Sequence, residues 1–110
     1  MKKLEIYVRS SKMEDLKKEL HDINVNFLIF SDVKAYGKNH DKHYRGQAYV
    51  DDVVKKVKLE VVISDDMLEK TIETVMKVAR TGDIGDGKIV VQSVERVYRI
   101  RTGETDINAL

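Results

Sequence analysis

Apolar and polar residues follow one another along the first part of the chain in patterns that predict a strand and then a helix. Leu4, Ile6 and Val8 alternate with polar neighbours, which is typical of a half-buried strand. Ser11 lies three residues before Glu14, the spacing of a capping box that begins a helix. Beyond it, apolar residues recur at helical spacing and predict one buried face, made of Met13, Leu16, Leu20 and Ile23.

The middle of the chain predicts a second strand, a long polar loop and a third strand. Asn24 suits the left-handed turn that ends the first helix. The stretch from Val25 to Tyr36 is rich in β-branched and aromatic side chains, and the alternation returns from Val57 to Ile63. The apolar rhythm is lost between Gly37 and Val54. A loop of this length in a small domain tends to carry function.

The last third predicts a second helix and further strands. Asp65 and Asp66 place negative charge where the helix begins, which suits the helix dipole. Its buried face consists of Leu68, Ile72, Val75 and Ala79. After a glycine-rich turn, residues 89–94 and 97–101 are strand-like. The order β-α-β-β-α-β predicts a ferredoxin-like α+β sandwich in a single domain, residues 1–110, with two helices on one face of an antiparallel sheet.

Composition narrows the classes of function. Of the 110 residues, 42% are hydrophobic and 35% charged, and the net charge of +1 gives no overall field that would attract nucleic acid or an acidic membrane. The chain has no cysteine, which excludes disulfides and thiolate nucleophiles. We find no secretory leader and no apolar run of membrane-spanning length, so we expect a cytoplasmic protein without direct membrane insertion.

The glycine-rich turn is the best clue to chemistry. Three of the six glycines lie between Thr81 and Lys88. Backbone N–H groups can converge on an anion where no Cβ blocks the approach, and Lys88 adds a positive charge. The turn fits part of a phosphate-loop pattern, but Ile89 stands where that pattern has Ser or Thr, and a helix precedes the turn. We therefore predict a phosphate site of another lineage. The alternative is a helix C-cap at Gly82 that leads into a strand.

Three motifs, taken together, resemble those of one known family. Tyr44-Arg45-Gly46 with Tyr49 resembles the tip of its T-loop. The sequence Thr81-Gly-x-Ile-Gly-Asp-Gly-Lys-Ile89 resembles its B-loop, and Arg99-Ile-Arg-Thr-Gly-Glu104 its C-terminal signature. The family is that of the PII signal-transduction proteins, nitrogen regulators of the GlnB/GlnK type. The resemblance covers the chain end to end and divides it into a T-loop (37–54), a B-loop (81–88) and a C-terminal loop region (99–110).

The resemblance implies a homotrimer that acts as a regulator and not as an enzyme. Each of three clefts between subunits would bind ATP or ADP competitively and, with ATP and Mg²⁺, 2-oxoglutarate. The T-loop would dock onto target proteins such as ammonium transporters, glutamine synthetase or transcriptional regulators. No nucleic-acid partner is implied.

The resemblance also implies which residues meet the nucleotide. They are Ile29, Gly37, Lys38, Glu60, Thr81, Gly85, Asp86, Gly87, Lys88, Arg99 and Arg101. The spacing of two of these residues independently supports a phosphate contact. Arg99 and Arg101 alternate on one predicted strand face, so both can point toward a polyphosphate. The alternative for these arginines, and for Glu60 on the adenine side, is an ordinary solvated strand face.

Several positions depart from the family pattern. The T-loop is two residues shorter than usual. Asn39 replaces a glutamine that joins Mg²⁺, ATP and 2-oxoglutarate, whereas Lys56 matches the lysine that pairs with a 2-oxoglutarate carboxylate. Ile29 replaces a threonine that bonds adenine and Ala35 a glycine of the same pocket, and losing a neutral hydrogen bond costs about 1 kcal/mol. We expect nucleotide binding to survive, and the response to 2-oxoglutarate stays open.

Other functions remain as alternatives. Tyr49 aligns with the tyrosine that is uridylylated in some bacterial members, and it is a candidate either for modification or for partner contact. His40 and His43 lie three residues apart but do not predict a metal site. A slow ATPase on the same fold would use Lys88 and the arginines. A single-strand RNA binder would need aromatic residues on the sheet face, and the strand after the B-loop has none.

Overall fold

The computed structural model describes residues 1–36 and 53–110, together with the backbone of residues 43–44 and 47–48. The described strands are β1 (Lys2–Val8), β2 (Ile29–Tyr36), β3 (His43–Tyr44), β4 (Gln47–Ala48), β5 (Val53–Ile63) and β6 (Lys88–Ser93). The described α-helices are α1 (Met13–Asp22) and α2 (Leu68–Ala79). Neither of these helices is both long and apolar enough to cross a bilayer.

The main sheet has four strands in the order β2-β5-β1-β6, and every neighbouring pair is antiparallel. Among the described residues β3 and β4 pair with each other, in a two-stranded ladder between β2 and β5 in the chain. Apart from that ladder, the order of elements is β-α-β-β-α-β. The predicted ferredoxin-like α+β fold is therefore confirmed.

The core lies between one face of the sheet and the two helices. Because side chains alternate along a strand, β1 and β5 each send every second residue into this layer. The buried apolar side chains are Leu4, Ile6, Val8, Met13, Leu16, Leu20, Val25, Val57, Leu59, Val61, Ile63, Val75 and Ala79. Thr71 is also fully buried, and its hydroxyl donates to the Met67 carbonyl at 2.7 Å, so the polar group is satisfied inside the apolar layer.

The opposite face of the main sheet is not covered by either helix. We call it the open face, and it carries Lys3, Glu5, Tyr7, Lys58 and Glu60. These side chains alternate with the buried ones on β1 and β5 and are all partly exposed. The two faces of the sheet therefore separate the core from a charged surface.

The start of α1 differs from the prediction. Ser11 lies in a 3₁₀ turn, Ser10–Lys12, and no side chain caps the first turn of α1. The capping box at Ser11 is therefore wrong, because the chain reaches helical geometry only after that turn. At the other end, Asn24 has φ of 67°, which confirms the left-handed turn.

The second strand is shorter than predicted. β2 begins at Ile29, whereas Val25 was expected to begin it. The Val25 amide donates to the Leu20 carbonyl at 2.9 Å, and its side chain is buried with the core. Its apolar character therefore serves packing after the helix instead of strand pairing. β5 begins at Val53, so strand pairing covers the last two residues of the stretch assigned to the T-loop.

The strand predicted for residues 97–101 is wrong. This segment has a single bridge, between Tyr98 and Thr105, and a turn follows at residues 100–102. The Arg99 amide donates to the Glu104 carbonyl and the Gly103 amide to the Arg99 carbonyl, each at 2.8 Å. Arg101 lies in the turn, so it does not share a strand face with Arg99. Among the described residues, no strand of the main sheet pairs with residues 97–101, so their alternating pattern does not form a strand.

Candidate functional site

The B-loop, residues 81–88, follows α2 and leads into β6. Its glycines have positive φ angles, 91° at Gly82, 102° at Gly85 and 104° at Gly87, a region that side chains with a Cβ rarely adopt. A Cβ on Gly87 would lie 1.6 Å from the Tyr7 carbonyl oxygen, whereas one on Gly82 would meet nothing within 4 Å. Glycine is sterically required at position 87, where the loop crosses the end of β1.

Gly82 is part of this loop and is not the cap of α2. The residue that follows the helix, Arg80, is extended, with φ of −75° and ψ of 127°. The chain has thus left the helix two residues before the left-handed conformation appears. The alternative explanation of the glycines as a helix C-cap is therefore wrong.

The side chain of Asp86 closes the B-loop on itself. Its carboxylate accepts hydrogen bonds from the backbone amides of Thr81 and Gly82, each at 2.8 Å, and from the Thr81 hydroxyl. The Thr81 hydroxyl and then the Thr81 amide hold the pKa of the Asp86 carboxyl well below its usual range. Asp86 was predicted to meet the nucleotide, and in the structure its carboxylate orders the loop.

Two cations, one directly after β1 and one on β5, hold the carbonyl side of the same loop. Arg9, directly after β1, donates to the Ile84 carbonyl at 2.9 Å and pairs with the Asp86 carboxylate at 3.4 Å. Lys56 on β5 is 8% exposed and donates to the Gly85 carbonyl. Nothing in the sequence marked Arg9, because its role depends on residues 75 and 77 positions away.

The B-loop also presents donors that are not used. The backbone N–H groups of Ile84 and Gly85 donate no hydrogen bond to any residue in the described ranges. Lys88 begins β6 with an exposed side chain that makes no ion pair within those ranges. Successive free amides in a loop that also carries a lysine are a combination that can bind an anion through backbone donors and charge.

A cleft of about 270 Å³ lies between the last turn of α2, the end of β1 and the start of β6. Met76 and Ala79 line its apolar side, and Arg80, Asp86 and Lys88 contribute charged groups. Binding pockets for small molecules usually measure about 300 Å³ or more. The cleft within one chain is therefore small for a ligand the size of a nucleotide.

The structure brings together two residues predicted for the adenine side. Ile29 begins β2 directly opposite Glu60 on β5, and it is 53% exposed. The Glu60 carboxylate lies 3.3 Å from the Lys58 ammonium and 3.4 Å from that of Lys3. The hydrogen bond from Lys58, followed by that from Lys3, lowers the pKa of Glu60. These ion pairs also fit the alternative of an outward-facing strand residue.

The ion pairs of Glu60 extend into a network across the open face. The Tyr7 hydroxyl donates to the Glu5 carboxylate at 3.0 Å, and this hydrogen bond raises the pKa of Tyr7. Lys58 lies 4.0 Å from Glu5 and 5.9 Å from the centre of the Tyr7 ring. Positive and negative groups therefore alternate on this face and balance one another.

The structure does not bring the two C-terminal arginines to the B-loop of their own chain. The Arg99 guanidinium pairs with the Glu104 carboxylate at 3.4 Å and donates to the Leu110 carbonyl at 3.0 Å. Arg101 is exposed in the turn. Within the described residues, neither side chain contacts residues 81–88.

Comparison with known proteins identifies the family. The family model described as nitrogen regulatory protein P-II matches residues 1–104. The chain belongs to the P-II family. It is 42% identical to the nitrogen regulatory protein P-II of Pasteurella multocida, 43% to that of Haemophilus influenzae and 45% to that of Cereibacter sphaeroides, in each case over the whole of both chains. The resemblance inferred from the three motifs is confirmed.

Part of the site expected for a P-II protein lies outside the described residues. Gly37, Lys38, Asn39 and Tyr49 are among these, so their predicted roles stay predictions. Within the predicted T-loop the structure describes the backbone of the ladder of β3 and β4, in which His43 pairs with Ala48. In the described part of the chain, no group of three or more His, Asp or Glu side chains is arranged to hold a metal.

Proposed function

We propose that this P-II protein is a regulatory nucleotide sensor that binds the phosphates of ATP or ADP at its B-loop. The observation that carries the proposal is that the unused amides of Ile84 and Gly85 belong to the same loop as Lys88, whose side chain is exposed. A polyphosphate would accept from these donors and neutralise the lysine. The family membership agrees, because P-II proteins are regulatory signalling proteins.

The proposed site is completed by a neighbouring copy in a homotrimer. Arg99 and Arg101 are needed for the predicted phosphate contacts, yet their own chain does not carry them to the B-loop. Tyr98 and Ile100 on the same segment are 59% and 99% exposed, which is unusual for apolar side chains unless a partner covers them. Light scattering should give three times the 12.7 kDa of one chain. A strictly monomeric solution would contradict this part of the proposal.

Isothermal titration with ATP and with ADP tests nucleotide binding directly. We expect micromolar affinity for both nucleotides and competition between them for one site per chain. Contacts to the phosphates should contribute most of the binding free energy, so adenosine should bind much more weakly than either nucleotide. If neither nucleotide binds at millimolar concentration, the proposed function is wrong.

The response to 2-oxoglutarate rests on Lys56 and Asn39. The Lys56 ammonium donates to the Gly85 carbonyl, so a 2-oxoglutarate carboxylate would have to compete with that contact. Asn39 would reach Mg²⁺ with one methylene less than the glutamine of the family pattern. Titration of 2-oxoglutarate into the protein with ATP and Mg²⁺ tests this directly. The proposal predicts binding only when both ATP and Mg²⁺ are present.

We propose regulation, and not turnover, as the role of the bound nucleotide. In the described B-loop the Asp86 carboxylate accepts from the Thr81 hydroxyl, but it also accepts from the Thr81 and Gly82 amides and pairs with Arg9, so we assign this contact to ordering the loop and not to activating a nucleophile. Prolonged incubation with ATP followed by product analysis distinguishes the two roles. Turnover faster than about once per second, the lower range of ordinary enzymes, would instead favour an ATPase.

The output of the proposed sensor is contact between the T-loop and a target in the cytoplasm. Ammonium transporters and glutamine synthetase are the candidate classes. Co-purification with a purified ammonium transporter, in the presence of ADP and then of ATP, is the first experiment. Retention that depends on which nucleotide is present would support a sensor. Equal retention with either nucleotide would contradict nucleotide control of that target.

A further inference from the structure

One peptide group decides what the B-loop offers to an anion. Residues 84 and 85 are the centre of a turn, and Gly85 has φ of 102° whereas Ile84 is not among the residues with positive φ. This combination is that of a type II turn. A type I turn over the same residues would have the central peptide, between Ile84 and Gly85, rotated by about half a turn.

The direction of the Ile84 carbonyl therefore sets the direction of the Gly85 amide. In a trans peptide the C=O and N–H bonds point in opposite directions. Arg9 Nη2 donates to the Ile84 carbonyl at 2.9 Å, so the Gly85 amide is directed away from Arg9. That amide donates to no partner in the described residues.

Arg9 is itself held in place. Its Nε and Nη2 both lie 3.4 Å from Asp86 Oδ1, and that carboxylate is bound to Thr81 and Gly82. A Cβ on Gly85 would come within 3.2 Å of Arg9 Nη2, so the guanidinium packs closely on the turn. The contact joins the end of β1 to the middle of the loop.

We propose that Arg9 is a positioning residue, which selects the orientation of the Ile84–Gly85 peptide and thereby presents the Gly85 amide to the polyphosphate. Glycine accepts both orientations of this peptide, so an outside contact must choose between them. Lys56 fixes the next carbonyl, that of Gly85, from β5. The inference rests on the proposed function, because it assumes that the anion binds at the B-loop.

The variant that tests the role is Arg9→Gln, which removes the charge and the fork of donors from the full-length protein. We expect affinity for ATP and for inorganic triphosphate to fall by about tenfold, as expected when a donor to the ligand is no longer held in place. Arg9→Lys keeps a cation that can reach the Ile84 carbonyl, and it should recover part of the loss. The same variants should bind adenosine as the wild type does.

Lys77→Gln is the matched control. Lys77 lies in the last turn of α2, its side chain is exposed, and it makes no side-chain contact within the described residues. The substitution Lys77→Gln removes one positive charge, as Arg9→Gln does, from the end of α2 that leads into the B-loop. Affinity for triphosphate should change by less than about twofold. Thermal unfolding without ligand establishes that each variant is folded.

Amide NMR gives a readout that loss of stability would not mimic. In the wild type, triphosphate should shift the Gly85 amide strongly, as expected for a new hydrogen bond. In Arg9→Gln that shift should be lost or reduced while core amides such as that of Leu59 stay unchanged. If Arg9→Gln does not fold, Arg9→Met decides, because it keeps an apolar stem without any donor, and wild-type affinity together with a wild-type Gly85 shift in that variant would overturn the role of Arg9.

The outcomes separate this inference from the function on which it rests. A wild-type protein that binds neither ATP nor triphosphate would overturn the proposed function. A wild type that binds both, together with a folded Arg9→Gln of equal affinity, would overturn only the role of Arg9.

Discussion

The B-loop and the C-terminal segment, residues 94–110, differ in where their stabilising side-chain contacts come from. The B-loop is tied to the sheet by Arg9 after β1 and by Lys56 on β5. The side-chain hydrogen bonds of the C-terminal segment run mainly within it, as in those from Arg96 to Asp106 and from Arg99 to Glu104. The B-loop is therefore held by residues of the main sheet and its edge, whereas the C-terminal segment is held mainly by its own residues.

The difference indicates which half of the proposed site one chain can form alone. Contacts with β1 and β5 fix the B-loop wherever the subunit is folded, so its amides are in place before assembly. The C-terminal arginines depend on internal contacts that do not set their distance from any B-loop. In the proposed trimer their position at the site would depend on how the subunits pack, and the two regions should respond differently to mutation.

The largest expected effect concerns the fit of the B-loop against β1. Gly87→Ala should lower the free energy of unfolding by about 3 kcal/mol or more, because its Cβ would overlap the Tyr7 backbone and φ is 104°. Gly103→Ala in the C-terminal segment is the control, since φ is 73° but nothing lies within 4 Å. It should cost only about 1 kcal/mol. Urea unfolding measures both, and equal losses would remove the contrast between the regions.

A smaller effect is expected on ligand binding at the B-loop. Lys88→Ala should weaken ATP binding by more than about 1 kcal/mol, because a charge-assisted contact to phosphate is lost. The unfolding temperature without nucleotide should stay close to that of the wild type, since the Lys88 side chain is exposed. Calorimetry on the variant decides, and unchanged affinity would place the phosphates elsewhere.

Arg101→Ala tests the other half of the site. Its side chain is exposed in a turn, so stability should hardly change, while ATP affinity should fall by about 1 kcal/mol if the arginine reaches a phosphate. Lys77→Ala serves as its control.

Mixing the two binding variants sharpens the comparison. If each cleft takes its B-loop from one subunit and its arginine from the next, co-refolded trimers of Lys88→Ala and Arg101→Ala contain some clefts in which both residues are intact. Tight ATP sites should then reappear at a stoichiometry below one per chain. Failure to recover any tight site would indicate that both residues come from the same chain.

The smallest expected effect concerns acid stability. The folded-state pKa of Asp86 lies below its unfolded value of 3.8, so its contribution is present above that value and is lost as the pH falls through it toward the folded pKa. Asp86→Asn should therefore flatten the decline of unfolding free energy below about pH 4, by an amount kept modest by solvent screening. Urea unfolding at several pH values measures this, with Glu104→Gln as the control. If the unfolding free energy of Asp86→Asn falls below about pH 4 as steeply as that of the wild type, the loop contacts described are contradicted.

Local patterns predicted the elements that pack against the core of their own chain. The alternating residues of β1 are buried, as are Met13, Leu16 and Leu20 of the predicted helical face, because the same chain provides their partners. Ile23, the last residue predicted for that face, is only partly buried. The alternation at 97–101 has no such partner, since Ile100 is 99% exposed, and the predicted strand did not form. A pattern of apolar residues shows that they need to be covered but does not show what covers them.

The candidate site was predicted where it follows from residue type and missed where it follows from tertiary contact. The glycines of the B-loop and Lys88 are evident in the sequence because turns and phosphates demand such residues. Arg9 and the carboxylate of Asp86 act through contacts that no spacing along the chain displays. Predicting them would have required the position of the loop relative to the end of β1.

The closure of the B-loop by Asp86 has a consequence for the kinetics of capture. The carboxylate already holds the Thr81 and Gly82 amides in place, so a polyphosphate that binds as proposed would not have to wait for this part of the chain to become ordered. In stopped-flow measurements the observed association rate should then rise linearly with nucleotide concentration and show no plateau. Any slow phase that follows should arise in a different part of the assembly.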